Sequence, residues 1–259
     1  MAAEANAKAV SDLMKALGID IGGSAVKGAP VDTRTGRLLG ERLRIATPKK
    51  ISPAQLADIV AETAAHFRWK GPIGIGFPGV IEDGRPQTST NLHKDFIGCD
   101  LARLVRAKTR SRVAVVNDAD AAGLAEVRFG AGKKQRGTLL LLTLGTGVGS
   151  ALFQDGELYP NTEFGLLPWK GRAAERHVAA SVKEKRKLTW KKWGHRLGDY
   201  LRVVETLVQP RLIVLGGGVS AEHEKFFHYL HNRVRTVPAE MRNEAGIVGA
   251  ALWAAETGR

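Results

Sequence analysis

At 259 residues with 44% hydrophobic side chains, the chain is long enough to bury a substantial core and too apolar to be disordered throughout. Its 39 Lys and Arg against 26 Asp and Glu leave a formal charge of +13, which favours a polyanionic partner, nucleic acid or linear inorganic polyphosphate; a merely soluble basic surface gives the same total. A single cysteine, Cys99, excludes an intramolecular disulfide and a cysteine-based zinc site.

Residues 1–15 carry Glu4 and Asp12 among alanines with no continuous apolar run, so they read as an irregular terminus and not as a signal peptide. Apolar residues at 16–19, 25–31 and 38–45 predict three strands, joined by Gly22-Gly23-Ser24 and by Thr33-Arg34-Thr35-Gly36. Ser52 as N-cap and Pro53 as first helical residue open a helix through His66. Ile73-Gly74-Ile75-Gly76-Phe77 alternates as a strand and stops at Pro78-Gly79, followed by a helix at 100–108, a buried strand at 113–116 and a helix at 119–129. The second half repeats the plan. Strands are expected at 138–144, 148–153, 157–159 and 211–215, helices at 172–187, 189–208 and 222–233, and a final helix at 246–256. Hairpin meanders followed by helix-linked strands, twice over, indicate two α/β lobes with a cleft between them and a hinge near Asp118. Apolar runs such as Leu139 to Leu142 are too short to cross a bilayer, and a cytoplasmic protein with no membrane partner is expected.

Three glycine-rich turns each follow an apolar run: Gly22-Gly23-Ser24, Gly145-Thr146-Gly147 and Gly216-Gly217-Gly218. Glycine lets backbone N–H groups approach a bulky anion with no side chain between them, so the three turns point to one phosphate chain held from several sides. Asp20, Gly22, Gly23, Ser24 and Lys27 together offer a water-mediated Mg²⁺ contact, backbone donors, a hydroxyl and a positive charge. An ordinary hairpin with glycine at positive-φ positions accounts for the first turn equally well, and Gly145-Thr146-Gly147 shares the ambiguity. Neither is a Walker A loop or a dinucleotide fingerprint.

Asn117-Asp118 stand where a buried strand gives way to a helix, which aims a carboxylate into a crevice where it can take the proton of an alcohol attacking phosphorus. A helix N-cap is the competing reading, and Asp120 is assigned to the cap or first helical turn. Between Val182 and Arg196, seven positive residues stand against Glu184 alone. If helical, Lys183, Lys187 and Lys191 share a face, and with Lys133, Lys134 and Arg136 they form a track for a polyanion; a solvated face is the alternative. Trp190 and Trp193 read as packing residues, which argues against nucleic acid. His223, His228 and His231 lack a completing carboxylate and do not form a metal site.

Taken in this order, the motifs resemble the sugar kinases of the repressor, open reading frame and kinase family, within the actin-like ATPase-domain fold, over about 15–255. Asp20-Ile21-Gly22-Gly23-Ser24 with Lys27-Gly28 match the first phosphate loop, Gly76-Phe77-Pro78-Gly79 the sugar-side turn, and Asn117 to Ala122 the catalytic segment. Gly145 to Gly149 match the second phosphate loop, Gly216-Gly217-Gly218-Val219 the adenosine-side loop, and Gly246 to Ala251 the closing helix. The resemblance returns that helix to the first lobe, giving 1–118 with 245–259 and 119–244 as the two lobes.

Asn117 to Glu126, Pro160 to Gly165 and Ala180 to Lys185 look like the corresponding segments of polyphosphate glucokinases and polyphosphate/ATP glucomannokinases. This implies transfer of a terminal phosphate from polyphosphate, and from ATP, to the 6-hydroxyl of glucose and also of mannose, with Mg²⁺ as cofactor. Asp118 would be the general base, Asn117, Glu163 and Glu175 would hold sugar hydroxyls, and Asn91 is a further candidate. Two departures stand out. The family's Glu-x-Gly-His becomes Glu163-Phe164-Gly165-Leu166, which removes an imidazole donor, and the family's cysteine-rich zinc motif is absent, so structural zinc is not expected.

A DNA-binding repressor of the same family would need a winged-helix domain ahead of Asp20, which 19 residues precede. A non-catalytic polyanion-binding module leaves Asn117-Asp118 and Glu163 unexplained, and a strictly ATP-dependent hexokinase differs only in its donor groove. Donor preference, the glucose-to-mannose ratio and the choice between monomer and homodimer stay open.

Overall fold

The structure is a computed structural model that describes residues 14–89 and 92–257. The chain divides into two compact units, one running through Ala125 and resuming at Glu244, the other spanning Glu126–Asn243. The change falls inside a helix, past the strand-to-helix junction at Asp118.

The first unit contains β1 (Lys15–Ile21), β2 (Ala25–Asp32), β3 (Arg37–Leu38), β4 (Leu43–Ala46), α1 (Pro53–His66) and β5 (Ile73–Phe77). After them come a small hairpin of β6 (Ile81–Glu82) and β7 (Arg85–Pro86), then α2 (Leu101–Thr109), β8 (Val113–Asn117), α3 (Asp118–Phe129) and, after the second unit, the C-terminal helix Ala245–Thr257. The sheet runs β3-β2-β1-β5-β8, with β4 also on β2. The single strand expected at 38–45 is two, because Leu38 pairs with Val31 and Leu43 with Gly28, so the residues between them loop out. Helix α1 starts as the sequence predicts: Ser52 and Gln55 form a reciprocal capping box with Pro53 in the first turn.

Strands β1 and β5 show why this unit closes. Leu17, Ile19, Ile21, Ile73, Ile75 and Phe77 point to one face, where they pack with Leu56, Val60, Phe96 and Leu101 from the α1 and α2 side. The alternate positions include Gly18 and Gly74, and there the C-terminal helix lies almost on the sheet backbone. A Cβ on Gly18 would overlap the Ile247 carbonyl, and one on Gly74 the Ala250 carbonyl. Gly249 on the helix meets the Ala121 carbonyl of α3 in the same way. The period-2 pattern is thus large-small, with a helix of alanines and glycines fitted to the small face.

The second unit contains β9 (Thr138–Leu144), β10 (Val148–Gln154), β11 (Glu157–Tyr159), β12 (Pro168–Trp169), β13 (Arg172–Ala173), α4 (Glu175–Val178), α5 (Ala180–Lys185), α6 (Trp190–Val208), β14 (Leu212–Gly216) and β15 (Thr236–Pro238). Its sheet order is β11-β10-β9-β14-β15, with β14 parallel to both β9 and β15. Leu140, Leu142, Leu144, Ile213 and Leu215 meet Trp193, Leu197, Tyr200, Leu201 and Val204 of α6, a stripe at helical spacing. Glu126 is fully buried and accepts from the backbone N–H groups of Ala131 (2.9 Å), Glu240 (3.2 Å) and Met241 (2.7 Å).

Two expected helices are corrected here. The segment 172–187 gives its first residues to the β12–β13 hairpin, and Ala179 is extended (φ −56°, ψ 149°) between α4 and α5. The segment 222–233 forms only short 3₁₀ turns, Gly218–Lys225 and Phe227–Tyr229, separated by Phe226 at φ −139°. That backbone break buries the Phe226 ring completely, 4.8 Å from Trp193. Strand β15, unexpected from the sequence, lies directly after this region. Among the described residues no helix is long and apolar enough to cross a membrane.

A methyl group at Gly74 would press on backbone and not on a movable side chain. Gly74→Ala should therefore lower unfolding free energy by about 3 kcal/mol, the upper end for overpacking. Gly40→Ala, with nothing within 4 Å of the new methyl, should stay within about 0.5 kcal/mol. Urea unfolding of the two variants measures the contrast.

Candidate active site

In the first unit, Asp20 sits near the end of β1, opposite Lys27 on β2 and beside Gly76 on β5. The Lys27 ammonium donates to the Asp20 carboxylate at 3.3 Å, and both groups remain partly exposed. Gly246, at the start of the C-terminal helix, leaves the carboxylate its space, since a methyl there would sit 3.0 Å from Asp20 Oδ1. The following turn is tied down by Thr47, whose hydroxyl donates to the Gly22 carbonyl (2.8 Å) and whose N–H donates to that of Ser24 (3.1 Å). Neither Gly22 nor Gly23 takes a positive φ, and a Cβ on Gly23 would meet nothing within 4 Å. The hairpin reading of these glycines rested on positive φ, and that premise is absent. What the turn has instead is open space above its backbone.

At the end of β8, Asn117 caps α3. Its Oδ1 accepts from Ala119 N–H (2.8 Å) and Asp120 N–H (3.0 Å), while its Nδ2 donates to the Gly79 carbonyl (3.1 Å). Asn117 thereby joins the Gly76-to-Gly79 turn to the helix start. Asp118 is half-buried, with Oδ1 accepting from Ala119 N–H at 2.9 Å. The structure brings Asn117 and Asp118 together with Gly76, whose absent Cβ would lie 3.6 Å from Asp118 Cα. Asn91 lies outside the described residues.

In the second unit, the turns after β9 and β14 come side by side because those strands are parallel neighbours, with Gly216 beside Thr143. Ligands of α/β sheets collect at such carboxyl ends. Here a cavity of 340 Å³ is lined by Gly145, Thr146, Ser181, Lys183, Trp190 and Gly218, among others. Gly145 and Gly218 have no positive φ and no neighbour within 4 Å of a Cβ, as at Gly23; at Gly216 a Cβ would make ordinary contacts with Ala239, Thr143 and the Leu142 carbonyl. Gly217 differs: φ is +83°, and a Cβ would overlap the Leu144 carbonyl. Helix α5 holds the second turn through Ser181, whose hydroxyl donates to Thr146 O (2.7 Å) and whose N–H donates to Gly145 O (3.1 Å). No local signal in the sequence marks Ser181 or Thr47 for these roles, since each acts on a turn far along the chain.

Glu163 and Glu175 belong to the same unit. The chain around Glu163 is pinned by buried Ser150, which donates to Thr162 O (2.6 Å) and accepts from Phe164 N–H (2.9 Å), and by the Tyr200 hydroxyl on Phe164 O (3.0 Å). Gly165 fits against the Val148 carbonyl. Glu175 opens α4 with its carboxylate against Gly147, so that a Cβ there would push the carboxylate aside. Burial, then the nearby Glu175 charge, raises the Glu163 pKa above its ordinary value. Leu166 is half exposed.

The shared helical face of lysines does not form as expected. Lys187 lies beyond α5 with φ 49°, and Lys191 is on a separate helix, α6, so Lys183, Lys187 and Lys191 share no helical face. Lys133 and Lys134 are exposed in the turn before β9. Lys183 alone of the five lines the cavity, its ammonium 3.6 Å from the centroid of the Trp190 ring. Trp193 is buried packing, as the sequence suggested, whereas Trp190 combines packing on Phe226 with a place in the cavity wall.

Among the described residues, no three His, Cys, Asp or Glu side chains gather to hold a metal. A single partly open carboxylate such as Asp20 suits Mg²⁺ that is carried mainly by a ligand's phosphates, the usual mode for that ion.

Residues 16–165 match the ROK family. A polyphosphate glucokinase of Mycobacterium tuberculosis (strain CDC 1551 / Oshkosh) is 45% identical over 236 residues, covering 91% of this chain and 89% of that protein. The inorganic polyphosphate/ATP-glucomannokinase from Arthrobacter sp. strain KM superposes with a TM-score of 0.88 at 42% identity, over 92% of this chain and 97% of that one. A ROK family glucokinase from Streptomyces griseus, in complex with glucose and AMPPNP, shares the fold, with a TM-score of 0.79 at 23% identity over 93% of this chain and 99% of that one. The glycine turns, the strand-end Asn117-Asp118 and the mixed sheets are thus parts of one known architecture, the actin-like ATPase fold of sugar kinases, and the chain belongs to the ROK family.

Proposed function

We propose that the protein is a polyphosphate-dependent glucose kinase, which also accepts ATP as donor and mannose as acceptor. The observation that carries this reading is the open space over Gly23, Gly145 and Gly218, where neither backbone conformation nor packing calls for glycine. Room for a phosphate oxygen against a backbone N–H accounts for all three. The similarity to polyphosphate glucokinases supports the same donor. ATP is supported by the cavity beside Gly145 and Gly218, whose wall offers Thr146, Ser181 and Lys183 as polar and charged partners for a nucleotide.

In this reading the first unit prepares the acceptor. Asp118 takes the proton of the sugar 6-hydroxyl as its oxygen forms the new bond to the terminal phosphorus, and the bridging bond of the donor breaks with its electrons on the departing chain. Asn117 holds the start of α3 and so places Asp118, with one amide hydrogen left for a neighbouring hydroxyl. In the second unit, Glu163 and Glu175 accept from sugar hydroxyls, and Gly145 to Gly147 with Gly216 to Gly218 hold donor phosphates. In the first unit, Ser24 and Lys27 are assigned to donor phosphate. A divalent cation such as Mg²⁺, held through Asp20, would supply neutralising charge on the donor. A cytoplasmic location is part of this reading, and the lone cysteine, Cys99, gives no reason to place the protein in an oxidising compartment.

The deciding experiment measures glucose 6-phosphate from glucose and Mg²⁺ with long-chain polyphosphate or ATP, on the wild type and Asp118→Asn. Asp118→Asn should lower kcat about 10²- to 10⁴-fold with either donor, as expected for losing a general base. Wild-type activity with ATP alone would overturn the polyphosphate assignment.

Two further outcomes follow from Glu163 and Leu166. A carboxylate whose folded pKa is raised favours folding below its unfolded pKa, and that contribution is lost as pH rises through the folded value. Glu163→Gln should therefore raise thermal stability at neutral pH, with the gain shrinking as pH falls into the carboxylate range. For the sugar, Leu166→His restores an imidazole donor and should raise the glucose-to-mannose ratio of kcat/KM; equal change for both sugars would sink the idea that Leu166 admits mannose.

A further inference from the structure

The phosphate turns of the second unit lie at the carboxyl ends of its parallel strands, and the amino ends carry a different chemistry. Arg136 precedes β9, Arg211 immediately precedes β14, and Arg233 and Arg235 precede β15. Two of these residues are built into the sheet ladder. Arg211 N–H donates to Thr138 O (2.8 Å), and Arg235 O accepts from Ile213 N–H (3.0 Å). The Arg211 stem lies over Gly137, where a Cβ would come within 2.6 Å of it. Arg202 on α6 completes the group: with Arg233, Glu205, Thr206 and Gln209 it lines a cavity of 300 Å³.

All five arginines are exposed, and among the described residues none forms an ion pair. The acids nearby are otherwise engaged. Glu205 is buried and accepts from Asn232 Nδ2 (3.0 Å), Arg233 N–H (3.1 Å) and Val234 N–H (2.6 Å). Asp155, beside Arg136 and Arg211, accepts from Gly137 N–H at 2.8 Å and from the Gln154 amide at the same distance. Four of these like charges lie at neighbouring strand starts and the fifth on α6; Asp155 offsets part of the repulsion at Arg136 and Arg211, whereas Arg202, Arg233 and Arg235 have no ion-pair partner among the described residues.

We infer that this arginine band is a second binding site for inorganic polyphosphate, holding the chain away from its reacting end. The inference rests on the polyphosphate-kinase reading above. Strand β9 has seven residues, so the band and the Gly145 turn are separated by about 20 Å at 3.4 Å per residue. A short donor cannot occupy both, and a long chain can. Polyphosphate is favoured over nucleic acid because the cavity wall, Arg202, Val203, Glu205, Thr206, Gln209, Arg233 and Val234, contains no aromatic ring on which a base could stack.

The test compares wild type with Arg202→Gln/Arg233→Gln/Arg235→Gln and with the matching triple lysine variant. Kinetics use long-chain polyphosphate, tripolyphosphate and ATP, and direct binding of long-chain polyphosphate is measured separately. The glutamine variant should raise KM for the long chain about tenfold and flatten the log–log salt dependence of binding by about 2, at roughly 0.7 per charge removed. KM for tripolyphosphate and ATP should stay unchanged, which also shows that the variant is folded, and the lysine variant should recover most of the long-chain affinity. Unchanged long-chain KM and binding in the glutamine variant would overturn the second site while leaving the kinase intact. Wild-type turnover with ATP and none with polyphosphate would overturn the donor reading instead, and the binding comparison would then decide the site alone. Displacement of polyphosphate by an equally charged single-stranded oligodeoxynucleotide would overturn the choice of ligand.

Discussion

The first unit depends on how closely the C-terminal helix approaches its sheet. Gly18 and Gly74 are bare on the face opposite the aliphatic core, and Ile247 and Ala250 fill the space that side chains would need. This contact sets the level of the helix start, so that Gly246 meets Asp20, and it sets α3 through Gly249 and Ala121. Both carboxylates proposed for chemistry, Asp20 and Asp118, therefore stand on elements registered against one short apolar helix. Packing that excludes even a methyl group gives such elements little freedom to drift.

The second unit solves a different problem, the gathering of acceptors and donors for opposite kinds of ligand. Its parallel β9 and β14 place two glycine turns together, where exposed N–H groups suit anions. Glu163 and Glu175 lie in the same unit and suit hydroxyls, at the expense of mutual repulsion that burial increases. A carboxylate held in that way is poorly solvated before a ligand arrives, and hydroxyl donors relieve it. The pinning of Thr162 and Phe164 by Ser150 and Tyr200 keeps that arrangement in place.

Much of this was legible in the residues themselves. The alternation of Ile73-Gly74-Ile75-Gly76-Phe77, the Ser52-Pro53 helix start and the three glycine turns each encode local geometry, and local geometry is what a sequence displays directly. The segments 172–187 and 222–233 were misread because their outcome is decided elsewhere: Pro168-Trp169 recruits Arg172-Ala173, and the hydrophobic core claims Phe226. Lysine spacing misled for the same reason, since a helical face exists only if the helix is continuous. The cap made by Asn117 was foreseeable as one of two readings, but its link to Gly79 joins distant residues and leaves no trace in spacing.

Glu126 has a topological consequence. It is the first residue of the second unit, and it binds the backbone of Glu240 and Met241, close to where that unit ends. The 118 residues from Glu126 to Asn243 therefore leave and rejoin the first unit's chain at neighbouring points, as an insert stapled at its base. Such an insert closes its own loop, so its length adds little to the entropy cost of folding the host unit. One buried carboxylate thus fixes the two ends of a 118-residue excursion of the chain at a single point.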